Sequence, residues 1–269
     1  MTKQYYSETY GLNAPENYES YFVPVIGEPL AIDLINLADL QPGEKVLDVG
    51  CGTGIVARLA AQKTGPGGSV TGLDINPGML AVARSVETNG ANIDWYESGA
   101  ENIPLPDAAF DVVLCQLSLQ FMENKSAALQ EMNRVLKPGG RIILNVPGPA
   151  GSVFTHLAEA MERTISAEAA GFVNQVFCLH DDNELESLMI KAGFRDVQIM
   201  PKNKEFRLPS PGEFLWQYVH STPLVGIMSQ VDQAARLDLE REVVEKWQKH
   251  INNGDFIYQQ RIVQVVAKK

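Results

Sequence analysis

The stretch Val46-Leu47-Asp48-Val49-Gly50-Cys51-Gly52-Thr53-Gly54 decides how this chain of 269 residues folds. Lys45–Val49 is an apolar run that ends in glycines, which predicts a buried parallel strand. Small and aliphatic residues at helical spacing follow over 55–63. A strand that enters a glycine-rich turn and then a helix makes a cradle for nucleotide-like ligands. Glycine lets the backbone close on the ligand, and the helix N-terminus offers unpaired N–H groups. The spacing Gly50-x-Gly52-x-Gly54 differs from the G-x-G-x-x-G of dinucleotide binders. Asp48, two positions before the first glycine, suits a ligand with an ammonium group and fits poorly with a pyrophosphate; its plainer role is to cap the loop. Val70-Thr71-Gly72-Leu73-Asp74 ends the next strand in a second acid, 20 residues beyond Gly54. A carboxylate there can take two hydrogen bonds from a ribose diol.

Outward from this stretch, short apolar runs alternate with helical patterns, as βαβ units require. Strands are predicted at 69–73, 93–96, 110–115 and 141–146, with helices at 77–87 and 125–136. Pro77 opens the first of these helices, and Pro138-Gly139-Gly140 stops the second. Beyond Pro147 the pattern turns helical, over 152–170, 181–192, 209–220 and 231–250. A β-like run at 194–200 and a closing strand at 256–266 complete it. Without repeats, low-complexity segments or a Gly/Ser linker, 1–269 reads as a single domain. Within it, 1–40 forms a lid and first helix, 41–150 the ligand-binding core, and 151–269 the substrate-facing helices and final strands.

Hydrophobic residues make up 45% and charged residues 20%, the balance of a soluble protein with a sizeable core. Cys51, Cys115 and Cys178 lack metal-ligand spacing and read as reduced thiols, which places the protein in the cytoplasm. The polar N-terminus lacks the apolar run of a signal peptide, and no stretch approaches the roughly 18 apolar residues of a membrane span. A net charge of −11 weighs against a nucleic-acid partner. The expected partner is a small-molecule substrate, with the chain acting as a monomer or homodimer away from membranes.

Together these segments resemble the class I S-adenosylmethionine-dependent methyltransferases, in particular the branch related to ubiquinone and menaquinone biosynthesis. Val46–Gly54 matches the first motif, Leu73–Met79 the acidic second, Gly99–Asp111 the third, and Leu136–Leu144 the late Leu-Lys-Pro-Gly-Gly segment. The resemblance implies an α/β, Rossmann-like sheet of seven strands, mostly parallel with the last antiparallel. It also implies an N-terminal helical lid and a helical insertion before the last strand. The cofactor would be S-adenosyl-L-methionine. Gly50, Cys51, Gly52 and Gly54 would form the turn against its methionine end, with Asp48 reaching the amino group directly or through water. Asp74 would hold the ribose, Ile75 and Met79 would flank the adenine, and Ala100 would offer it a backbone N–H. Gln116 and Leu117 would line the cleft near the sulfonium. Relatives often carry Asp or Asn where this chain has Gly99, so the adenine amino group must be read by Glu101, by backbone or by water. Cys51 reads as a packing group rather than a nucleophile.

Methyl transfer from a sulfonium needs alignment and a dry pocket more than acid–base help. A base is needed only where the acceptor keeps its proton, and His156 and His220 are the candidates. The aromatic run Tyr5-Tyr6-Ser7-Glu8-Thr9-Tyr10, with Tyr18, Tyr21 and Phe22, fits a lid. Phe206, Phe214, Trp216 and Tyr218 fit a pocket wall, so the expected acceptor is small and partly apolar. Asp181 and Asp182 read as a helix cap, and no metal is expected. Two rival readings are a cofactor-binding regulatory module without turnover and a nicotinamide-dependent oxidoreductase.

Overall fold

The apolar runs become strands of one sheet: β1 (Lys45–Val49), β2 (Ser69–Asp74), β3 (Ile93–Glu97), β4 (Phe110–Gln116) and β5 (Leu136–Pro147). β6 (Arg195–Leu208), the two-residue β7 (Ile251–Asn252) and β8 (Asp255–Lys268) complete it. The computed structural model describes residues 13–88 and 90–269. The strand order is β3-β2-β1-β4-β5-β8-β6, with β7 paired to β8 off this path. β1 to β5 are parallel and β8 runs antiparallel to β5, as expected for the sevenfold path; β7 is an addition.

The chain packs as two compact units. The sheet unit comprises 27–148, 179–202 and 262–269. Its strands alternate their side chains between two buried layers, the pattern of a parallel sheet covered on both faces. Leu47 and Val49 of β1 join Leu73, Val113, Leu129, Met132 and Leu144 in one layer. Val46 joins Leu34, Ile35, Val56, Ala60 and Ile143 in the other. The helical unit comprises 149–178, 203–261 and the described residues up to 26. Phe154 centres its core, with Phe177, Tyr218 and Tyr258 rings at 5.1–5.2 Å.

Several boundaries differ from the sequence pattern for local reasons. Leu136 already pairs with Phe110, and the register then shifts so that Arg141 pairs with Val112. Pro138-Gly139-Gly140 is therefore a bulge inside β5 rather than a stop before it. The helix expected over 152–170 is two, Ser152–Thr164 and Ala167–Val176, because the Ser166 hydroxyl accepts the Ala169 N–H at 3.1 Å and starts the second. The short helix Leu224–Met228 carries no clear periodic signal in the sequence.

The helical run Ala14–Ala38 corrects one expectation. It spans 25 residues, including a π-helical stretch Tyr18–Gly27 with Pro24 inside, and is long and apolar enough to cross a membrane by length and composition. Pro24 and Pro29 hide that continuity in the sequence. Leu30, Ala31, Leu34, Ile35 and Ala38 are buried, and core packing accounts for their apolarity. Tyr18 and Phe22 stack at 4.7 Å. Tyr21 lies half-buried on the same stretch, and the proposed lid residues 5–10 lie outside the described residues.

Candidate active site

In the sheet order β1 lies between β2 and β4, so the chain leaves the sheet in opposite directions on either side of it. Such a switch point opens a crevice at the carboxyl ends of the strands. A cavity of about 1060 Å³ lies there, lined by residues that end or follow β1 (Gly50), β2 (Asp74, Ile75), β3 (Ser98 to Glu101) and β4 (Ser118). Phe121 to Ser126 complete the lining.

The glycine turn is pinned to β2. Gly50 and Cys51 donate their N–H groups to the Leu73 carbonyl at 2.7 and 3.0 Å. Gly50 has φ +68°, and a Cβ on it would fall on the Ser118 side chain, so only glycine fits. On the turn's outer side a Cβ at Gly54 would meet the Trp95 ring at 2.5 Å, and Gly72 faces the same ring. The turn thus passes between Ser118 and an indole.

Two carboxylates flank this turn, Asp48 on β1 and Asp74 at the end of β2. Asp48 is 1% exposed, and neither of its oxygens has a hydrogen-bond partner of normal geometry among the described residues. Burial pushes its carboxyl up to about 8, with the nearby Asp74 charge adding to the effect and the Ala57 N–H and Arg58 opposing it. Asp74 accepts the Gly52 N–H at 2.7 Å through Oδ2 and the Asn76 N–H at 2.9 Å through Oδ1. Burial raises its pKa as well, and those backbone bonds limit the rise. A carboxylate offers about four acceptor sites, so the backbone bonds from Gly52, Asn76 and Ile75 leave Asp74 some acceptor capacity at the cavity wall.

Ile75 is 72% exposed, an unusual state for isoleucine, and its side chain lines the cavity. Asn76 then caps the helix Pro77–Ser85, its Oδ1 accepting from Gly78 and Met79 at 2.9 and 3.3 Å. Across the lining, a Cβ at Gly99 would sit 3.2 Å from Glu101 Oε2 and 3.7 Å from Ile75 Cδ1. A side chain at position 99 would therefore press on the Glu101 carboxylate, which would have to give by a few tenths of an ångström. Glu101 Oε1 also accepts the Asn124 N–H at 3.4 Å.

Of the residues proposed from sequence, Gly50, Asp74, Ile75, Gly99, Ala100 and Glu101 meet at this cavity. Asp48 on β1 and Cys51, Gly52 and Gly54 of the glycine turn do not line it. Cys51 is buried, which pushes its thiol well above the usual range and leaves it a packing group. Met79 lies on the helix beyond Ile75, outside the lining. Gln116 and Leu117 are also outside it. The Gln116 amide donates to the Gly27 carbonyl at 3.0 Å, and the lining residue is the next one, Ser118. The sequence reading also missed Phe121, Asn124 and Lys125, although Asn124 carried a helix-cap signal: its Oδ1 accepts the Ala127 N–H at 3.0 Å.

His156 and His220 belong to the helical unit. His156 sits half-buried on Ser152–Thr164, and burial together with Lys249 and Lys246 depresses its pKa, so it is neutral at neutral pH. His220 ends the helix Pro211–His220 and is buried, its carbonyl accepting the Asn17 amide at 3.1 Å. Phe206, Phe214, Trp216 and Tyr218 are core residues of the same unit, and the Trp216 indole N–H donates to Glu240 at 2.8 Å. Asp181 caps the helix Asp182–Lys191, accepting from Asn183 and Glu184.

A family model described as a methyltransferase domain matches residues 47–144. The ubiquinone/menaquinone biosynthesis C-methyltransferase UbiE of Pseudomonas putida is 34% identical over 178 residues, covering 61% of this chain and 70% of that protein. The chain belongs to the S-adenosylmethionine-dependent methyltransferases. The UbiE of Neisseria meningitidis matches this methyltransferase at 37% identity over 175 residues, 61% of this chain and 71% of that one. Its fold is also that of Haemonchus contortus phosphoethanolamine N-methyltransferase 2 in complex with S-adenosyl-L-methionine. That similarity has a TM-score of 0.60 and 21% identity, covering 99% of this chain and 58% of the other. The enzyme's residues fit this cofactor. A buried carboxylate whose oxygens lack a hydrogen bond of normal geometry suits an α-ammonium group, and an exposed isoleucine suits an apolar ring face.

Proposed function

We propose that this methyltransferase holds S-adenosylmethionine in the cavity at the ends of β1 to β4 and methylates a ring carbon of a small, apolar quinone-type acceptor. The observation that carries the donor site is Asp48 on β1, a buried carboxylate two residues before Gly50 whose oxygens lack a hydrogen-bond partner of normal geometry. In this reading Asp48 neutralises the methionine ammonium, directly or through water. Gly50 gives the backbone close approach, and Asp74 accepts from the ribose with the acceptor capacity its backbone bonds leave. Ile75 covers one face of the adenine, with Met79 supporting the helix behind it. The Ala100 N–H and the Glu101 carboxylate read the ring edge, Glu101 standing in for a side chain at position 99.

When bound, S-adenosylmethionine supplies a methyl group activated by a sulfonium. The protein's part is orientation and exclusion of water, which account for most of the acceleration of an in-line displacement. Where the acceptor has a proton to lose, His156 is the first candidate for its base, and its depressed pKa leaves it neutral at pH 7. His220, whose ring packs against Trp216 at 6.4 Å, is the second candidate.

The quinone-type acceptor is supported by the UbiE relatives, whose names state that chemistry. Buried thiols at Cys51 and Cys115 and a net charge of −11 support a cytoplasmic enzyme that does not use nucleic acid, acting as a monomer or homodimer. The deciding experiment incubates the enzyme with labelled S-adenosylmethionine and a series of short-chain hydroquinones lacking one ring methyl, with product masses determined. Label on a ring carbon supports the proposal. Binding of the donor without turnover on any ring would move the assignment to another acceptor class.

A further inference from the structure

We propose that Asn145, on β5, is a positioning residue for the methyl donor: it holds Leu117 in a left-handed turn that sets Ser118 against Gly50. The proposal rests on reading the cavity as the donor site. Leu117 has φ +49°, a conformation that a branched side chain keeps only where its surroundings impose it. The constraint is present on both sides of the residue. Its N–H donates to the Asn145 carbonyl at 3.0 Å and to Asn145 Oδ1 at 3.1 Å. Its carbonyl accepts the Gln120 amide at 2.9 Å.

Asn145 is 0% exposed, between the apolar Leu144 and Val146 of the same strand. A buried amide is unfavourable unless its polar atoms are used. Its side chain spends them on the chain leaving β4: Oδ1 on Leu117, and Nδ2 on Gln116 Oε1 at 3.4 Å. Asn145 pairs with Gln116 across the sheet, so its side chain reaches just past the end of β4. Gln116 is tethered in turn to the Gly27 carbonyl. The result is a fixed elbow that delivers Ser118 to the cavity, packed on the one glycine whose Cβ would displace it.

The test measures S-adenosylmethionine affinity by calorimetry and Tm in parallel. Asn145→Ala is expected to weaken affinity about tenfold, the scale set by one unsupported left-handed residue. Adding Leu117→Gly is expected to restore affinity to within about threefold of the parent, because glycine adopts the turn unaided. Tm should stay low in the double variant, since glycine also loosens the unfolded chain. A merely structural role predicts that affinity and Tm fall further together. That result, or unchanged affinity in Asn145→Ala, overturns the proposal. If Asn145→Ala does not fold, Asn145→Ser with and without Leu117→Gly is read the same way. Asp74→Ala separates the two questions: binding that survives it removes the cavity reading, whereas its loss with normal Asn145 variants removes only the positioning role.

Discussion

At Asp48 two demands meet in one side chain. In the proposed site its carboxylate meets the cationic end of the donor, yet the protein itself offers that carboxylate no hydrogen-bond partner of normal geometry among the described residues. Its carboxyl titrates near 3.8 when unfolded and near about 8 when folded. Between those values the unfolded chain releases this proton first, so stability declines as pH rises through that window and levels off above it. Asp48→Asn is therefore expected to raise the unliganded Tm at pH 8 while lowering donor affinity about tenfold or more. At pH 7 donor binding should expel about one proton per site, seen as a dependence of binding enthalpy on buffer ionisation enthalpy and absent in Asp48→Asn. Gly99→Asp should weaken donor binding about tenfold, because a second carboxylate would crowd Glu101 Oε2. Removing Glu101 in that background should recover it, and calorimetry on the four variants checks the pair. Both acids at the strand ends were legible in the sequence, since spacing from the glycines marks them. Ser118 was not. Its place depends on a positive φ at Leu117, which has no sequence signature when the residue is not glycine.

Among the elements, those with chemical punctuation were read well and those defined by partners were not. Asn76-Pro77 announces a helix start, and the structure shows the Asn76 side chain accepting from two backbone donors. Asn76→Ala is expected to cost about 0.5–2 kcal/mol in urea unfolding. It should also weaken donor binding severalfold, because Ile75 immediately precedes the cap. Strands β1 to β4 announced themselves as apolar runs between turns. β6 did not show its full length: much of Arg195–Leu208 is polar and exposed, and only its pairing makes it a strand. The bulge at Pro138-Gly139-Gly140 escaped for the same reason, since a register shift belongs to two strands at once.

For the whole molecule, the cavity proposed to hold the donor is contained in the sheet unit, so ligand binding there should act on that unit's stability directly. At a donor concentration of 100 Kd the stabilisation is about 2.7 kcal/mol, or a Tm rise of about 5–10 °C for a chain of this size. Thermal melts should show that rise in the parent and lose it in Asp74→Ala. The division into two units was not legible, because long-range packing draws it without a linker. The sequence reads the acceptor only as small and partly apolar, since the motifs it carries concern the donor and a fold alone does not name a substrate. The indole behind the glycine turn has a further use. Of the three tryptophans, Trp216 and Trp247 are fully buried in the helical unit, while Trp95 lies half-buried against Gly54 and Gly72. Its emission is thus a native optical gauge of what occupies the turn's other side, against a constant background, and needs no attached dye.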